Sequence, residues 1–287
     1  MSLFYLPPVT VRKVLPMKTA AIQLHSTHNK SENIRKAKSF IEEAARGGAQ
    51  LVALPEVFTF RGMIRPDKGA ALSKTFFMEQ IADEIPGATI AEFQKLAREH
   101  KIFILAGSVY ERSADPERAY NASVLIADDG NILQTYRKIH LFNAQVGDKK
   151  YCESDYFLSG KDPQVARAGD FTVGMSVCYD IRFPEMYRDY RQKGVDMFVI
   201  PSAFTQTTGE AHWHALVRAR AIENLSYVLA PNQAGEDNMG RRCFGHSLIV
   251  DPWGEILAEA SGDKEEIIYA DASKDVIKER RKTLGHI

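Results

Sequence analysis

"FTVGMSVCYDIRFPEMYRDYRQKGVDMFVIP", residues 171–201, holds the pattern that decides the fold class. Its first part, "FTVGMSV" (171–177), is an apolar run that reads as a buried strand. "PEMYRDYRQKG" follows, with Pro184 in the first turn, where a helix tolerates it, and a glycine at the close. "VDMFVIP" (195–201) is a second buried strand. Strand, helix and strand in succession mark an α/β chain. One residue breaks the apolar logic: Cys178 closes the first strand and is followed by charges. A cysteine that only fills a core has apolar neighbours on both sides.

The same alternation continues outward. "TAAIQL" (19–24) is a strand, and Asn29 or Ser31 caps a helix whose Ile34, Ala37, Phe40, Ile41 and Ala44 share one face before Gly47 and Gly48 end it. "LVAL" (51–54) and "IFILAGSV" (102–109) are buried strands flanking a helix over 88–100 that lines up Ile90, Phe93, Leu96 and Ala97. "YNASVLIA", the turn "DDGN" and "ILQTYRK" form a hairpin ending at Lys138. Beyond residue 201 the pattern predicts a helix over Ala211–Glu223, strands near 226–230, 243–251, 254–258 and 265–271, and a short polar helix. No linker, tandem repeat or low-complexity tract interrupts the series. Buried strands mixed with antiparallel hairpins fit a plain doubly wound parallel sheet poorly. The prediction is one domain over 17–287 after an N-terminal extension over 1–16.

Composition narrows the function classes. The 287 residues suffice to bury a core without disulfides or metals. Lys plus Arg equals Asp plus Glu at 37 each, so no net basic field draws in nucleic acid or an anionic membrane. The three cysteines, Cys152, Cys178 and Cys243, are odd in number and form no CxxC, which points to a reducing compartment and a cytoplasmic protein. In "MSLFYLPPVTVRKVLP" the prolines break every apolar run, and no signal peptide or anchor is read there. The sequons at Asn29, Asn121 and Asn224 carry no weight in such a compartment.

Three chemically active residues end buried strands: Glu56 after "LVALP", Lys138 after "ILQTYR" and Cys178 after "TVGMSV". Strand ends in α/β folds hold side chains rigidly while leaving their tips accessible. Together the three divide one task. A carboxylate takes the thiol proton, a thiolate attacks carbon, and an ammonium steadies the charge growing on a carbonyl oxygen. Taken singly, each has a plainer role: Cys178 as a small buried apolar residue, Glu56 as a strand-end charge, Lys138 as part of a solvated basic face. Cys152 and Cys243 read as structural, and Trp213 and Trp253 as packing. No GxGxxG, GxxxxGK[ST] or HExxH is present.

Four windows shift the balance. "LPEVF" (54–58), "YRKIHLF" (136–142), "GMSVCYDIRFPE" (174–185) and "PSAFTQTTGEAHWHALVRARAIEN" (201–224) together resemble, in chain order, the nitrilase superfamily of carbon-nitrogen hydrolases, and the resemblance runs from Lys18 to Asp271. It implies a four-layer αββα sandwich of two mixed sheets that dimerises through outer helices or builds larger homo-oligomers. It implies Glu56 as general base, Lys138 as oxyanion stabiliser, Cys178 as nucleophile and Glu153 of "YCESDYF" as a second glutamate orienting substrate and lysine. The resemblance further implies that the backbone N–H of Tyr179 joins Lys138 in the oxyanion hole and that no metal or organic cofactor is required. A cysteine ahead of a helix and beside a cation is expected to favour its thiolate. Asp180, Arg182 and Glu185 are expected to brace the turn.

The turn also prunes the substrate. Nitrilases proper follow the cysteine with Trp-Glu where this chain has Tyr179 and Asp180, and carbamoylases carry two arginines where the first position here is Ile181. The wording is most similar to the omega-amidase and deaminated-glutathione amidase branch, which implies a small amide substrate bearing a carboxylate. Candidates to hold it are Tyr179, Arg182, Phe204, Thr205 and Thr208, with Thr207 and Arg218 behind them; for each threonine a cap or turn role near Gly209 stands as the alternative. Other readings left open are an N-carbamoyl amino acid amidohydrolase, a catalytically silent scaffold, and a redox sensor at Cys178.

Overall fold

A computed structural model describes residues 15–64, 73–147 and 149–284. The first half contains β1 (Met17–Gln23), α1 (Lys30–Arg46), β2 (Leu51–Ala53), α2 (Lys74–Ile81), α3 (Ala88–His100), β3 (Phe103–Arg112), β4 (Ala119–Ile126) and β5 (Ile132–Arg137). Then come β6 (Asn143–Val146), β7 (Lys149–Cys152), β8 (Phe157–Leu158), β9 (Gln164–Ala168), β10 (Phe171–Met175), α4 (Pro184–Gln192) and β11 (Met197–Val199). The last third holds α5 (Gln206–Asn224), β12 (Tyr227–Ala230), β13 (Leu248–Val250), β14 (Ile256–Glu259), β15 (Glu266–Ala272) and α6 (Lys274–Leu284). Of the expected extension over 1–16, residues 1–14 lie outside the described residues. Among the described residues no helix is long and apolar enough to cross a membrane.

The strands assemble into two mixed sheets. One runs β15-β1-β2-β3-β4-β5, with β8 beside β4; the other runs β14-β13-β12-β11-β10-β9. Each has a parallel trio at its centre, β1-β2-β3 or β10-β11-β12, flanked by antiparallel strands. Strand alternation explains the layering of the first sheet. Leu51, Ala53, Leu105 and Leu125 face the core shared with the second sheet, while Val52, Leu54, Ile104, Ala106, Val124 and Ile126 face outward onto α1 and α3. The α1 residues Ala37, Ile41 and Ala44 and the α3 residues Ile90, Phe93, Leu96 and Ala97 close over that face. On the far side Tyr187 and Tyr190 of α4 and Trp213, Val217 and Ala221 of α5 cover the second sheet. The result is the expected four-layer αββα sandwich.

The departures from expectation are local. The helix expected over Ala211–Glu223 begins at Gln206, because the Thr205 side chain accepts the Thr208 N–H and caps it earlier. The strand expected over 243–251 shrinks to Leu248–Val250, since Gly245 (φ 70°) and His246 (φ 52°) turn the chain through the left-handed region just before it. The segment after Lys138 forms the β6-β7 hairpin and a 3-10 turn, Glu153–Asp155, which no apolar periodicity announces.

Candidate active site

Glu56 and Lys138 leave the first sheet, from the ends of β2 and β5; Cys178 leaves the second, just past β10; Glu153 rides on the 3-10 turn after β7. Glu56 is positioned through its backbone. Gln233 Nε2 donates to its carbonyl at 2.9 Å, and the next N–H, on Val57, donates to Ser108 Oγ at 2.8 Å. Gly107 on β3 passes so close to the Leu54 and Pro55 carbonyls that any Cβ there would collide with them. Glycine is therefore what lets β3 run beside the segment carrying Glu56. Val57 and Cys178, both non-glycine, hold φ of 47° and 48°. That conformation costs energy and persists only where surrounding contacts fix it. For Cys178 one of these is its N–H donating to the Pro201 carbonyl at 2.9 Å.

The centre of the site is a buried lysine between two carboxylates. Lys138 is fully buried, and its Nζ donates to Glu56 Oε1 and Glu153 Oε1, both at 2.9 Å. Glu153 Oε2 accepts the Phe142 N–H at 2.8 Å, so one carboxylate aims the lysine and is itself aimed. Asn121 Nδ2 donates to Glu56 Oε1 at 2.9 Å. Burial works against the Lys138 ammonium, yet the charges of Glu153 and Glu56 outweigh it and hold its pKa well above the usual lysine value. Burial raises the Glu153 pKa, with Lys138 opposing.

Cys178 departs from expectation. Burial first, and then the negative charge of Glu56, push its thiol well above the ordinary thiol range; Lys138 and a backbone hydrogen bond from Ala203 only partly offset this. Two carboxylates to one ammonium leave the site negative, and that outweighs the helix end that was expected to favour thiolate. The surroundings of Cys178 therefore favour the protonated thiol over the thiolate.

A second buried carboxylate ties the two sheets' contributions together. Asp180 lies in the 3-10 turn Cys178–Arg182 and is fully buried. Its Oδ2 accepts from Tyr136 Oη at 2.6 Å and Val177 N at 2.9 Å; its Oδ1 accepts from His140 N at 2.9 Å and pairs with His140 Nδ1 at 2.8 Å. Tyr136 and His140 flank Lys138 by two residues on either side, so Asp180 fastens the lysine's segment to the cysteine's. This is the bracing expected of Asp180; Glu185, by contrast, is exposed.

The other predicted residues divide. The Arg182 guanidinium lies over the rings of Tyr179 (5.8 Å) and Phe204 (5.5 Å) and reaches His212 Nδ1 at 3.1 Å. Tyr179 also packs on Phe142, which follows Lys138 by four residues. Tyr179, Arg182 and Phe204 thus form one group beside Cys178. Thr205 and Thr208 are engaged in the α5 cap, their hydroxyls 2.8 Å apart. Arg218 is turned to the Gly254 carbonyl at 2.8 Å. Asn121 is the residue that sequence reasoning missed. It sits on β4 opposite Tyr110, and an asparagine inside a mostly apolar buried strand was the available signal.

Comparison with known proteins places the chain among its relatives. Residues 18–282 match the family described as "Carbon-nitrogen hydrolase". The chain is 40% identical over 273 residues to a deaminated glutathione amidase of Synechocystis, covering 94% of this chain and 96% of that one. It is 37% identical over 268 residues to the human omega-amidase NIT2, covering 93% and 92%. The fold superposes on the crystal structure of the C. elegans NitFhit protein with a TM-score of 0.83 at 31% identity, covering 96% of this chain and 66% of that one. Sequence family, relatives and fold agree with one another, and the chain belongs to the carbon-nitrogen hydrolase family.

Proposed function

We propose that this chain is an amidase that hydrolyses the amide of a small carboxylate-bearing molecule through a thioester on Cys178. Its substrate class is the terminal amide of a short oxo acid or the related amide of deaminated glutathione. The observation that carries this reading is the Lys138 ammonium, buried, held 2.9 Å from both Glu56 and Glu153, and near enough for its charge to act on Cys178.

The chemistry follows from the protonation states. With the thiol neutral at rest, attack begins as Glu56 takes the sulfur proton and Sγ bonds to the amide carbon. Negative charge develops on the amide oxygen, where the Lys138 ammonium and the Tyr179 N–H stabilise it. Glu56 passes the proton to the departing nitrogen, which leaves as ammonia or amine. It then takes a proton from water, the resulting hydroxide attacks the thioester, and the acid leaves as Cys178 recovers its proton. Glu153 keeps Lys138 aimed throughout. Arg182, framed by Tyr179 and Phe204, is the cation offered to the substrate carboxylate. The three unpaired cysteines suit a cytoplasmic setting. The exposed Ile222 on α5 and the exposed Trp253, next in sequence to the Gly254 that lies against Ile222 and with Arg280 4.9 Å over its ring, support a homodimer through that outer face.

The test is turnover of an omega-amide of a 2-oxo acid, deaminated glutathione, an N-carbamoyl amino acid and an aliphatic nitrile by wild type and Cys178→Ala. Ammonia release and product mass are both followed. Turnover of either of the first two that vanishes in Cys178→Ala is expected. Retained turnover in the variant refutes the nucleophile, and silence on all four refutes the substrate class.

A further inference from the structure

Away from Cys178, three metal-ligating side chains converge where α5 crosses the edge of the second sheet. His214 comes from α5, His246 from the turn before β13, and Glu259 is the last residue of β14. His214 Nε2 lies 2.9 Å and His246 Nδ1 2.8 Å from the same oxygen, Glu259 Oε1, and the three ligand atoms all fall within 4.8 Å of one another. Two of the three ligands stand on a helix and a strand, and the third is pinned by its backbone. Trp213 Nε1 donates to the His246 carbonyl at 2.6 Å, while the His246 N–H donates to the Ser261 carbonyl at 3.1 Å. These contacts hold His246 at φ 52°, an uncommon conformation for a residue with a Cβ. The Phe244 ring, 4.4 Å from the His246 ring, walls one side with apolar surface. The three side chains remain 31–37% exposed, which leaves an entry path.

We propose that His214, His246 and Glu259 form a binding site for a zinc-type transition dication, with a fourth position open to water. Two imidazole nitrogens and one carboxylate oxygen suit zinc rather than magnesium or calcium, which prefer oxygen ligands throughout. Ligand atoms about 2.0–2.2 Å from a tetrahedral ion stand about 3.3 Å apart. The present spacing therefore has to open only slightly where carboxylate and imidazole now touch. Binding leaves the facing nitrogens without protons, each neutral ring carrying its proton on the other nitrogen, so acid competes with the metal. The ion clips α5 to the end of β14 and takes no part in the chemistry at Cys178.

The experiment strips full-length wild type and Cys178→Ser with a chelator and then titrates Zn²⁺, reading stoichiometry by equilibrium dialysis and stability by thermal melting. One ion per chain is expected in both proteins. The expected rise in Tm is roughly 4–5 °C at a hundredfold excess of free metal over Kd. Co²⁺ in place of Zn²⁺ should give visible absorption without a thiolate charge-transfer band. His214→Ala and Glu259→Gln should each weaken binding at least tenfold, with each variant's shift measured against its own metal-free melt. Failure to retain an ion overturns the site, as does equal retention in the variants, a thiolate band, or loss of binding in Cys178→Ser. Any of the last three would leave only a hydrogen-bonded His–Glu–His cluster at this position.

Discussion

Cys178 illustrates how much local surroundings decide about a single side chain. The sequence places a cysteine at a strand end before a helix, and that position alone argues for a thiolate. The folded site argues the other way, because burial and the charge of Glu56 raise the thiol pKa. A raised thiol pKa means that the folded protein holds the proton more tightly, so the thiolate fraction is small at neutral pH and grows as pH rises. Alkylation of free Cys178 by iodoacetamide, followed by mass spectrometry, should therefore accelerate about tenfold per pH unit from pH 7 and show no plateau near the ordinary thiol pKa of about 8.5. A plateau below that value would contradict the electrostatics. Glu56, Lys138 and Cys178 were legible because each ends an apolar run with a residue such runs exclude. Asn121 was not, because its purpose depends on Glu56 arriving from 65 residues away.

Among the elements, the short 3-10 turn Cys178–Arg182 does more positioning than any long helix. Asp180 satisfies four groups at once, three of them on the β5 exit that carries Lys138. The Tyr136 phenol is held protonated, by burial first and then by the Asp180 charge, and so remains a firm donor. Replacing Asp180 with alanine orphans these buried donors and should lower stability by about 3 kcal/mol or more in urea denaturation. In the same variant kcat/KM should fall at least a hundredfold, because the lysine and cysteine segments lose their common anchor. Unchanged stability would show that the latch is idle. Helices with a clear apolar face, such as α1 and α3, were legible from periodicity. The start of α5 was not, because its first turn, "QTTG", has no apolar stripe and declares itself only through the Thr205 cap. The β6-β7 hairpin was equally silent, with alternating exposed and half-buried residues in β6 and no buried face.

At the scale of the whole molecule, the sandwich hides its apolar sheet faces but leaves Trp253 and Ile222 open to solvent at 46% and 43%. A charge placed there, Trp253→Glu, should shift a wild-type dimer to monomer in sedimentation; a wild type that already sediments as a monomer would remove the outer-helix dimer. The layering itself could be anticipated from strand and helix order, while the pairing of one sheet against the other could not, since it depends on contacts between distant residues. That pairing has a mechanical consequence. Glu56 and Lys138 belong to one sheet and Cys178 to the other, so the seam between the sheets runs through the candidate site. Catalytic alignment is thus a gauge of shear. A small slip of one sheet over the other would part thiol from carboxylate while every strand ladder stayed intact, and the enzyme would fall silent before it began to melt.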